Sequence, residues 1–247
     1  MVYYIAIPMD YLEADAMKEQ VLLTKQDIPQ ILRFLGYRGQ EMDESARKQV
    51  MDGIRRMNEA AMPRSVSRIL QTDSRFASGG EFPAACSFLT GEDIHRHLDG
   101  CTQIVLFAAT LGSHVDTLIA KAKLRNVADQ IILDACGSVL IEAYCDVCEA
   151  QLRAKLASDG RYLTTRFSPG YGDLPLDIQT VFLRTVNATK RIGLTVSPGG
   201  MLIPVKSVTA VLGIADHPMK DTRKRPDCTD CRARASCRFR LAGVRCG

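Results

Sequence analysis

The pattern of hydrophobic and polar positions predicts one deeply buried strand near the middle of the chain. Residues 102–109 include the unbroken apolar run Ile104-Val105-Leu106-Phe107-Ala108-Ala109, which is typical of a strand covered on both faces. Thr110-Leu111-Gly112-Ser113 follows, and its glycine predicts a turn into a helix that begins near His114. A strand end that leads into a helix N-terminus favours an anion or polar ligand, although a plain strand-to-helix turn explains the same residues.

A second pattern, over residues 127–156, predicts one long central helix. Its apolar residues cover a wide arc, and they are Ile131, Leu133, Ala135, Cys136, Val139, Leu140, Ala143, Tyr144, Val147 and Cys148. Glu142 lies inside this arc, where a carboxylate is costly unless a cation pairs with it. Cys145 and Cys148 form a C-x-x-C in mid-helix, which without a second pair favours packing over metal binding.

Three further segments predict helices in the N-terminal half. Asp27-Ile28-Pro29 combines a possible cap with a first-turn proline, and the helix is expected to end at Gly36. Residues 43–62 repeat the amphipathic pattern before Pro63. Residues 91–98 predict a short helix whose His95 and His97 lie on different faces. We therefore expect two solvent-exposed histidines and no shared metal there.

The C-terminal part of the pattern predicts a helix and two strands. The helix starts at Leu174-Pro175-Leu176-Asp177 and stops at Gly193. Ser197-Pro198-Gly199-Gly200 predicts a turn between two strands, of which residues 206–214 form the second. With an edge strand over residues 66–70, the elements add up to an α+β fold, an antiparallel sheet with packed helices.

Composition is that of a globular protein of the cytoplasm. At 247 residues with 46% apolar residues, the chain can bury a core without disulfides. Nine cysteines without a recognisable signal peptide favour reduced thiols or metal ligands. The longest stretch free of Asp, Glu, Lys and Arg, residues 100–115, is shorter than the roughly 18–20 apolar residues of a membrane span. We therefore expect a cytoplasmic protein without a membrane segment.

A change in composition predicts two parts: a globular α+β domain over residues 1–216 and a basic Cys-rich tail over residues 217–247. Residues 220–247 hold nine Lys or Arg against three Asp, a balance that suggests nucleic-acid binding. Phe239 is the only aromatic residue of the tail, so it lacks a stacking platform for bases. We expect no nucleic-acid partner.

The cysteines of the tail predict a metal site. Cys228, Cys231, Cys237 and Cys246 fall within 19 residues that offer few apolar side chains for a core. Four thiolates in such a segment suit either zinc or an iron–sulfur cluster, and the metal would then fold the segment. The spacing does not choose between the two metals, and a reduced tail without metal is the alternative.

The turn Arg166-Phe167-Ser168-Pro169-Gly170-Tyr171 is the best candidate for a ligand site. Pro169 fixes its own φ and pushes Ser168 towards an extended backbone, while Gly170 can adopt a positive φ. Arg166 offers a planar fork of donors for a carboxylate, and Tyr171 offers a flat ring with a terminal hydroxyl. The sequence therefore suggests a site for an amino-acid-like ligand, with an ordinary surface loop as the alternative.

This turn carries a resemblance to a known family. The pattern Arg-x-x-x-Gly-Tyr, a polar helix and the alternating segment 201–210 together resemble the activation domain of cobalamin-dependent methionine synthase, over residues 129–214. The resemblance implies an S-adenosylmethionine site formed by Glu142, Arg166, Pro169, Gly170, Tyr171, Gly172 and Asp173. It implies that Arg166 binds the ligand's carboxylate, Glu142 its ammonium group, and the backbone near Gly172 its adenine. A salt bridge between Glu142 and Arg166 is the alternative.

The family also implies a function that needs no catalytic residue on this chain. It implies an accessory protein of methyltransferase reactivation that acts in trans on a cobalamin-dependent methionine synthase or another corrinoid protein. The partner would bring the cobalamin, a flavodoxin-type reductant would supply an electron, and S-adenosylmethionine would supply the methyl group. Together they would bring about the reductive methylation of cob(II)alamin. The alternative is a metal-cluster electron-transfer protein that reactivates a corrinoid methyltransferase without S-adenosylmethionine.

Overall fold

The computed structural model describes residues 21–38, 40–72 and 82–219. The helices are α1 (Ile28–Phe34), α2 (Glu44–Ala60), α3 (Glu92–Leu98), α4 (Ser113–Lys123), α5 (Val127–Ala157), α6 (Gln179–Thr185) and α7 (Ala188–Ile192). The strands are β1 (Arg64–Gln71), β2 (Gln103–Thr110), β3 (Tyr162–Leu163), β4 (Thr195–Val196), β5 (Leu202–Ile203) and β6 (Ser207–Ala215). The four cysteines of the tail lie outside the described residues, so the metal site and the boundary near residue 217 stay predictions.

An antiparallel sheet with the strand order β1-β2-β6-β3 forms the centre of the fold. Val105 of β2 stands opposite Ile69 of β1 and Leu212 of β6, so β2 is paired on both sides. Every residue of β2 is buried, as its apolar run predicts. The predicted strand over 66–70 is confirmed as part of β1, at the edge of the sheet.

Helices cover both faces of the sheet, which explains why β2 has no polar side. Val105, Phe107 and Ala109 pack with α1, α2, α4 and α5 in one core. The alternate residues, such as Ile104 and Leu106, pack with α3, α6 and α7 in another. Because successive side chains of a strand point to opposite faces, one strand serves both cores. The predicted α+β fold with an antiparallel sheet is confirmed.

The predicted central helix is confirmed as α5, which has 31 residues. Asn126 caps it, since its side chain accepts a hydrogen bond from the backbone N–H of Ala128 at 2.9 Å. Cys145 and Cys148 are buried in the core and hold no disulfide, as the packing interpretation predicts. Ile131, expected inside the apolar arc, is instead exposed, because it lies on the outer side of α5, whereas the adjacent Ile132 and Leu133 are buried in the core.

The N-terminal helices are confirmed, with one difference at a cap. Asp43 caps α2 through the backbone N–H of Ala46 at 2.7 Å. Asp27, predicted to cap α1, makes no such bond. Its carboxylate instead accepts the backbone N–H of Thr24 at 2.7 Å, closing a short 3-10 turn that precedes α1.

Two predictions for the C-terminal part were wrong in detail. The single helix ending at Gly193 is two helices, because Asn187 adopts a left-handed backbone with φ 56° between α6 and α7. The turn at residues 197–200 joins β4 to β5, not to the strand that was expected over 206–214. That strand is β6, which lies between β2 and β3 and is almost wholly buried because helices cover both its faces.

Among residues 21–38, 40–72 and 82–219, no helix combines the length and the apolar character that crossing a membrane requires. α5 is long enough, but charged residues occur along its whole length.

Candidate functional site

The sheet fixes the position of Arg166. The backbone N–H of Thr164 donates to the carbonyl of Gly213 at 2.9 Å, and Phe167 exchanges two backbone hydrogen bonds with Val211, at 2.9 and 2.8 Å. Arg166 lies in the chain between Thr164 and Phe167, the two residues that pair with β6. Its guanidinium reaches side chains of α5. The arginine is therefore held by strand pairing before the turn begins.

His97 of α3 supports the same segment from the other helical layer. Its Nε2 lies 2.9 Å from the carbonyl oxygen of Thr165 and 3.1 Å from Oγ1 of Thr164, and its ring centroid is 5.1 Å from that of Phe167. Burial lowers the pKa of His97, and the hydrogen bond to Thr165 opposes this in part. The expectation of exposed histidines was wrong, because both are half-buried, His97 against this segment and His95 against the ring of Phe82 at a centroid distance of 4.4 Å.

A row of charged side chains on α5 faces Arg166. Glu142, Asp146, Glu149 and Arg153 follow one another at intervals of four, three and four residues, so they lie on one side of the helix. Sequence reasoning singled out Glu142 and missed the other three. Their helical spacing was a usable signal, but nothing local showed that this row meets Arg166.

Three carboxylates contact the guanidinium of Arg166. Its Nη2 lies 2.6 Å from Oδ1 of Asp146 and 3.3 Å from Oε2 of Glu142, and its Nη1 lies 3.2 Å from Oε2 of Glu149. The other oxygen of Glu149 accepts a hydrogen bond from Nη2 of Arg153 at 2.7 Å. Glu149 thus bridges two arginines, while Glu142 and Asp146 share one nitrogen of Arg166.

These carboxylates differ strongly in exposure. The side chain of Glu149 is 14% exposed, that of Glu142 48% and that of Asp146 71%. The expectation of a buried acid at Glu142 was therefore wrong, because its side of α5 faces an open hollow instead of the core. The alternative, a salt bridge from Glu142 to Arg166, is present in the structure.

The environment of Arg166 keeps it charged. Burial of its side chain lowers the pKa, but the hydrogen bond with Asp146 and the nearby negative groups outweigh burial and raise the pKa above its ordinary value. A permanently charged planar fork is suited to a carboxylate ligand.

A hollow of about 460 Å³ opens beside this cluster. Its lining residues come from α5, from the segment around Arg166 and from β6, and they are Glu142, Asp146, Glu149, Ala150, Arg153, Thr165, Arg166, Ser168, Tyr171 and Val208. The volume lies in the range of small-molecule pockets, about 300–1,000 Å³. Of the residues that the family resemblance singles out, the hollow brings together Glu142, Arg166 and Tyr171.

The turn after Arg166 has the positive φ that was predicted for Gly170. Gly170 has a φ of 91°, and its N–H donates to the carbonyl of Leu174 at 2.9 Å. Pro169 is buried beneath the turn. Tyr171 is 62% exposed, with its ring edge-on to Phe167 at a centroid distance of 6.4 Å. Pro169 and Gly170 shape the turn but do not line the hollow.

Asp173 and Gly172 also lie outside the hollow. The carboxylate of Asp173 accepts the backbone N–H groups of Glu92 at 2.7 Å and Asp93 at 3.0 Å, at the first turn of α3. Gly172 has a φ of 55°, and a Cβ there would lie 2.3 Å from Oδ2 of Asp93. These two residues attach the turn to α3, so any contact of theirs with a ligand would have to come from the backbone.

No metal site is formed by the residues that the structure describes, since no group of three or more His, Cys, Asp or Glu is arranged to hold an ion there. Cys145 lies behind Arg166, and burial raises its pKa and that of Cys148. Both thiols are buried and fill space in the core.

This protein is similar to known proteins in structure but not detectably in sequence. No protein-family model matches the chain, and no curated protein matches its sequence. A solved structure described as the MetH reactivation domain bound to AdoHcy is similar, with a TM-score of 0.57 and 14% identity over 86% of this chain and 78% of that one. The chain has the fold of the MetH reactivation domain. The expected resemblance is thus confirmed for the fold. The ligand and the role of this protein have to be argued from the residues of its site.

Proposed function

We propose that this protein binds S-adenosylmethionine in the hollow beside α5 and acts in trans to reactivate a cobalamin-dependent methionine synthase. The observation that carries the proposal is the meeting of Arg166 and Glu142, 3.3 Å apart, with Tyr171 at one hollow in a fold shared with a domain whose solved structure is bound to AdoHcy. A guanidinium and a carboxylate side by side match the two charged groups of an amino-acid moiety.

Each residue has a distinct part in this proposal. Arg166 binds the ligand's carboxylate and Glu142 its ammonium group, and each charged hydrogen bond contributes about 1.5–3 kcal/mol. When Glu142 turns to the ammonium, it leaves Nη2 of Arg166, and a donor becomes available for the ligand's carboxylate. Tyr171 forms a wall of the hollow. Pro169 and Gly170 hold the turn in shape, and backbone groups of Gly172 and Asp173 meet the adenine.

The proposed reaction requires positioning but no nucleophile or base on this chain. The partner's cobalamin, once reduced by one electron from a flavodoxin-type reductant, would supply the electron pair for the new bond to the methyl group, and sulfur would keep the pair of the broken S–CH₃ bond. The protein orients the sulfonium at the mouth of the hollow. An open hollow lined by charged residues and an exposed tyrosine suits this task.

Isothermal titration with S-adenosylmethionine tests the proposal. We expect saturable binding by the intact protein and a loss of at least about tenfold in affinity for Arg166→Ala, because a charged hydrogen bond is removed. Arg161→Ala is the matched control, since Arg161 bonds Asp159 and Gln103 and does not line the hollow. Equal flat traces for wild type and Arg166→Ala would overturn the ligand assignment.

A second test concerns Glu142, whose exposure makes it a safe target for substitution. Glu142→Gln keeps the shape of the side chain but removes its charge, so we expect weaker binding of S-adenosylmethionine with the fold intact. Circular dichroism confirms the fold, and titration gives the affinity. An unchanged affinity would show that the ammonium group is bound elsewhere.

We further propose that Cys228, Cys231, Cys237 and Cys246 hold a metal, as their spacing suggests. Elemental analysis of the purified protein for iron and zinc, with and without Cys228→Ser and Cys231→Ser, tests this directly. A brown protein that contains iron and fails to bind S-adenosylmethionine would favour an electron-transfer role. Absence of both metals from protein purified without chelators or oxygen would overturn the metal proposal.

A further inference from the structure

The charges around the hollow do not cancel. Three carboxylates, Glu142, Asp146 and Glu149, face two guanidinium groups, Arg153 and Arg166, and the other lining residues are uncharged. One negative charge is therefore in excess at the site. A ligand without net charge does not neutralise this excess negative charge, whereas a ligand with one net positive charge does.

The structure shows where the excess charge lies. Glu149 is the least exposed of the carboxylates and bonds both arginines, one with each oxygen, so its charge is balanced locally. Glu142 and Asp146 both contact Nη2 of Arg166. At this end of the guanidinium, two carboxylates therefore face a single positive group. Asp146 is the more exposed of the two, and its side chain lines the hollow.

From these contacts we propose that Asp146 is a specificity-determining residue that makes the site select a cationic sulfonium ligand over the corresponding neutral thioether. The inference rests on the proposed S-adenosylmethionine site and goes beyond it. With Glu142 on the ammonium group, Asp146 keeps its contact with Nη2 of Arg166, 2.6 Å away, and is the carboxylate of the hollow that can also face the positive sulfur. The methyl donor carries that charge, and its demethylated product does not.

This selectivity would favour turnover. Once the methyl group has left, sulfur becomes neutral, the attraction of Asp146 for the ligand ends, and the product dissociates more readily than the donor. Because Asp146 is well exposed, water and salt weaken its attraction, and we expect a moderate preference of about tenfold.

The test compares the dissociation constants of S-adenosylmethionine and S-adenosylhomocysteine for wild type and Asp146→Asn. Both nucleosides carry the same carboxylate and ammonium group, so any effect of the substitution through Arg166 cancels in the ratio of the two constants. We expect wild type to bind the sulfonium about tenfold more tightly and Asp146→Asn to reduce that ratio to about threefold or less. The ratio of wild type should also fall when salt is raised to about 0.5 M.

Glu59→Gln is the matched control, since it removes one exposed negative charge from α2, away from the hollow. It should leave the ratio unchanged, which separates a local effect of Asp146 from the net charge of the protein. Equal affinities of wild type for the two ligands, or an unchanged ratio in Asp146→Asn, would overturn this inference and leave the proposed function standing. If wild type binds neither ligand, the proposed function itself fails and the inference falls with it.

Discussion

Nε2 of His97 lies 2.9 Å from the carbonyl oxygen of Thr165, the residue directly before Arg166. Since a carbonyl oxygen only accepts, this geometry requires a proton on Nε2. The ring also packs on Phe167, directly after Arg166. A single imidazole therefore holds both neighbours of the arginine on which the candidate site depends.

This contact predicts a dependence of stability on pH. Burial lowers the pKa of His97 in the folded protein, so between the folded value and the unfolded value of about 6.5 the unfolded chain binds more protons. The contribution of the neutral ring is complete above about pH 6.5 and is lost as the pH falls below it, by at most about 1.4 kcal/mol per pH unit. Urea denaturation at pH 7.5 and 5.5 measures the difference.

The matched variants are His97→Gln and His114→Gln. Glutamine at position 97 can still donate to Thr165 but does not titrate, so the free energy of unfolding should change less between the two pH values than in wild type. His114 is exposed on α4, and its replacement should leave the difference as in wild type. A His97→Gln protein with the pH dependence of wild type would contradict the prediction.

Glu149 and Glu142 should differ in their effect on stability. Glu149→Gln removes the carboxylate that two partly buried arginines share, and we expect a loss of about 1–3 kcal/mol in the free energy of unfolding. Glu142→Gln removes an exposed partner of Arg166 and should cost less than about 1 kcal/mol. Chemical denaturation of both variants at pH 7.5 gives the comparison, and a larger loss for Glu142→Gln would contradict the assigned roles.

Asp173 should act as a structural cap of α3. Asp173→Ala leaves the N–H groups of Glu92 and Asp93 without their acceptor, and we expect a loss of about 0.5–2 kcal/mol in stability. Asp177→Ala is a fitting control, since Asp177 is exposed in the same loop and its replacement should change stability little. Thermal unfolding of both variants measures the difference. Equal melting temperatures for Asp173→Ala and Asp177→Ala would contradict the role of Asp173 as a cap.

The buried thiols should be unreactive in the folded protein. Burial raises the pKa of Cys86 and of Cys136 to about 12 and that of Cys101 to about 11, and it also raises those of Cys145 and Cys148. Iodoacetamide at pH 8 should therefore label these five positions only after unfolding in urea. Peptide mass spectrometry reads each position separately, and rapid native labelling of Cys145 would contradict the packing behind Arg166.

Several elements were predictable because their signals are local. An unbroken apolar run predicts β2, since only a strand covered on both faces has no polar side. A wide apolar arc predicts α5, and proline and glycine at residues 169 and 170 predict the turn. The break at Asn187 was not predictable in the same way, because its left-handed backbone interrupts a pattern that otherwise continues as one helix.

The site itself was only half predictable. The place of Arg166 before a rigid turn and of Glu142 on a long helix could be predicted, since both follow from periodicity and from the backbone limits of proline and glycine. That the row of Glu142, Asp146, Glu149 and Arg153 meets Arg166 could not, because it depends on the tertiary structure. The pairing of the segment around Phe167 with β6 sets which turn of α5 the arginine reaches, and that register depends on contacts between residues far apart in the chain.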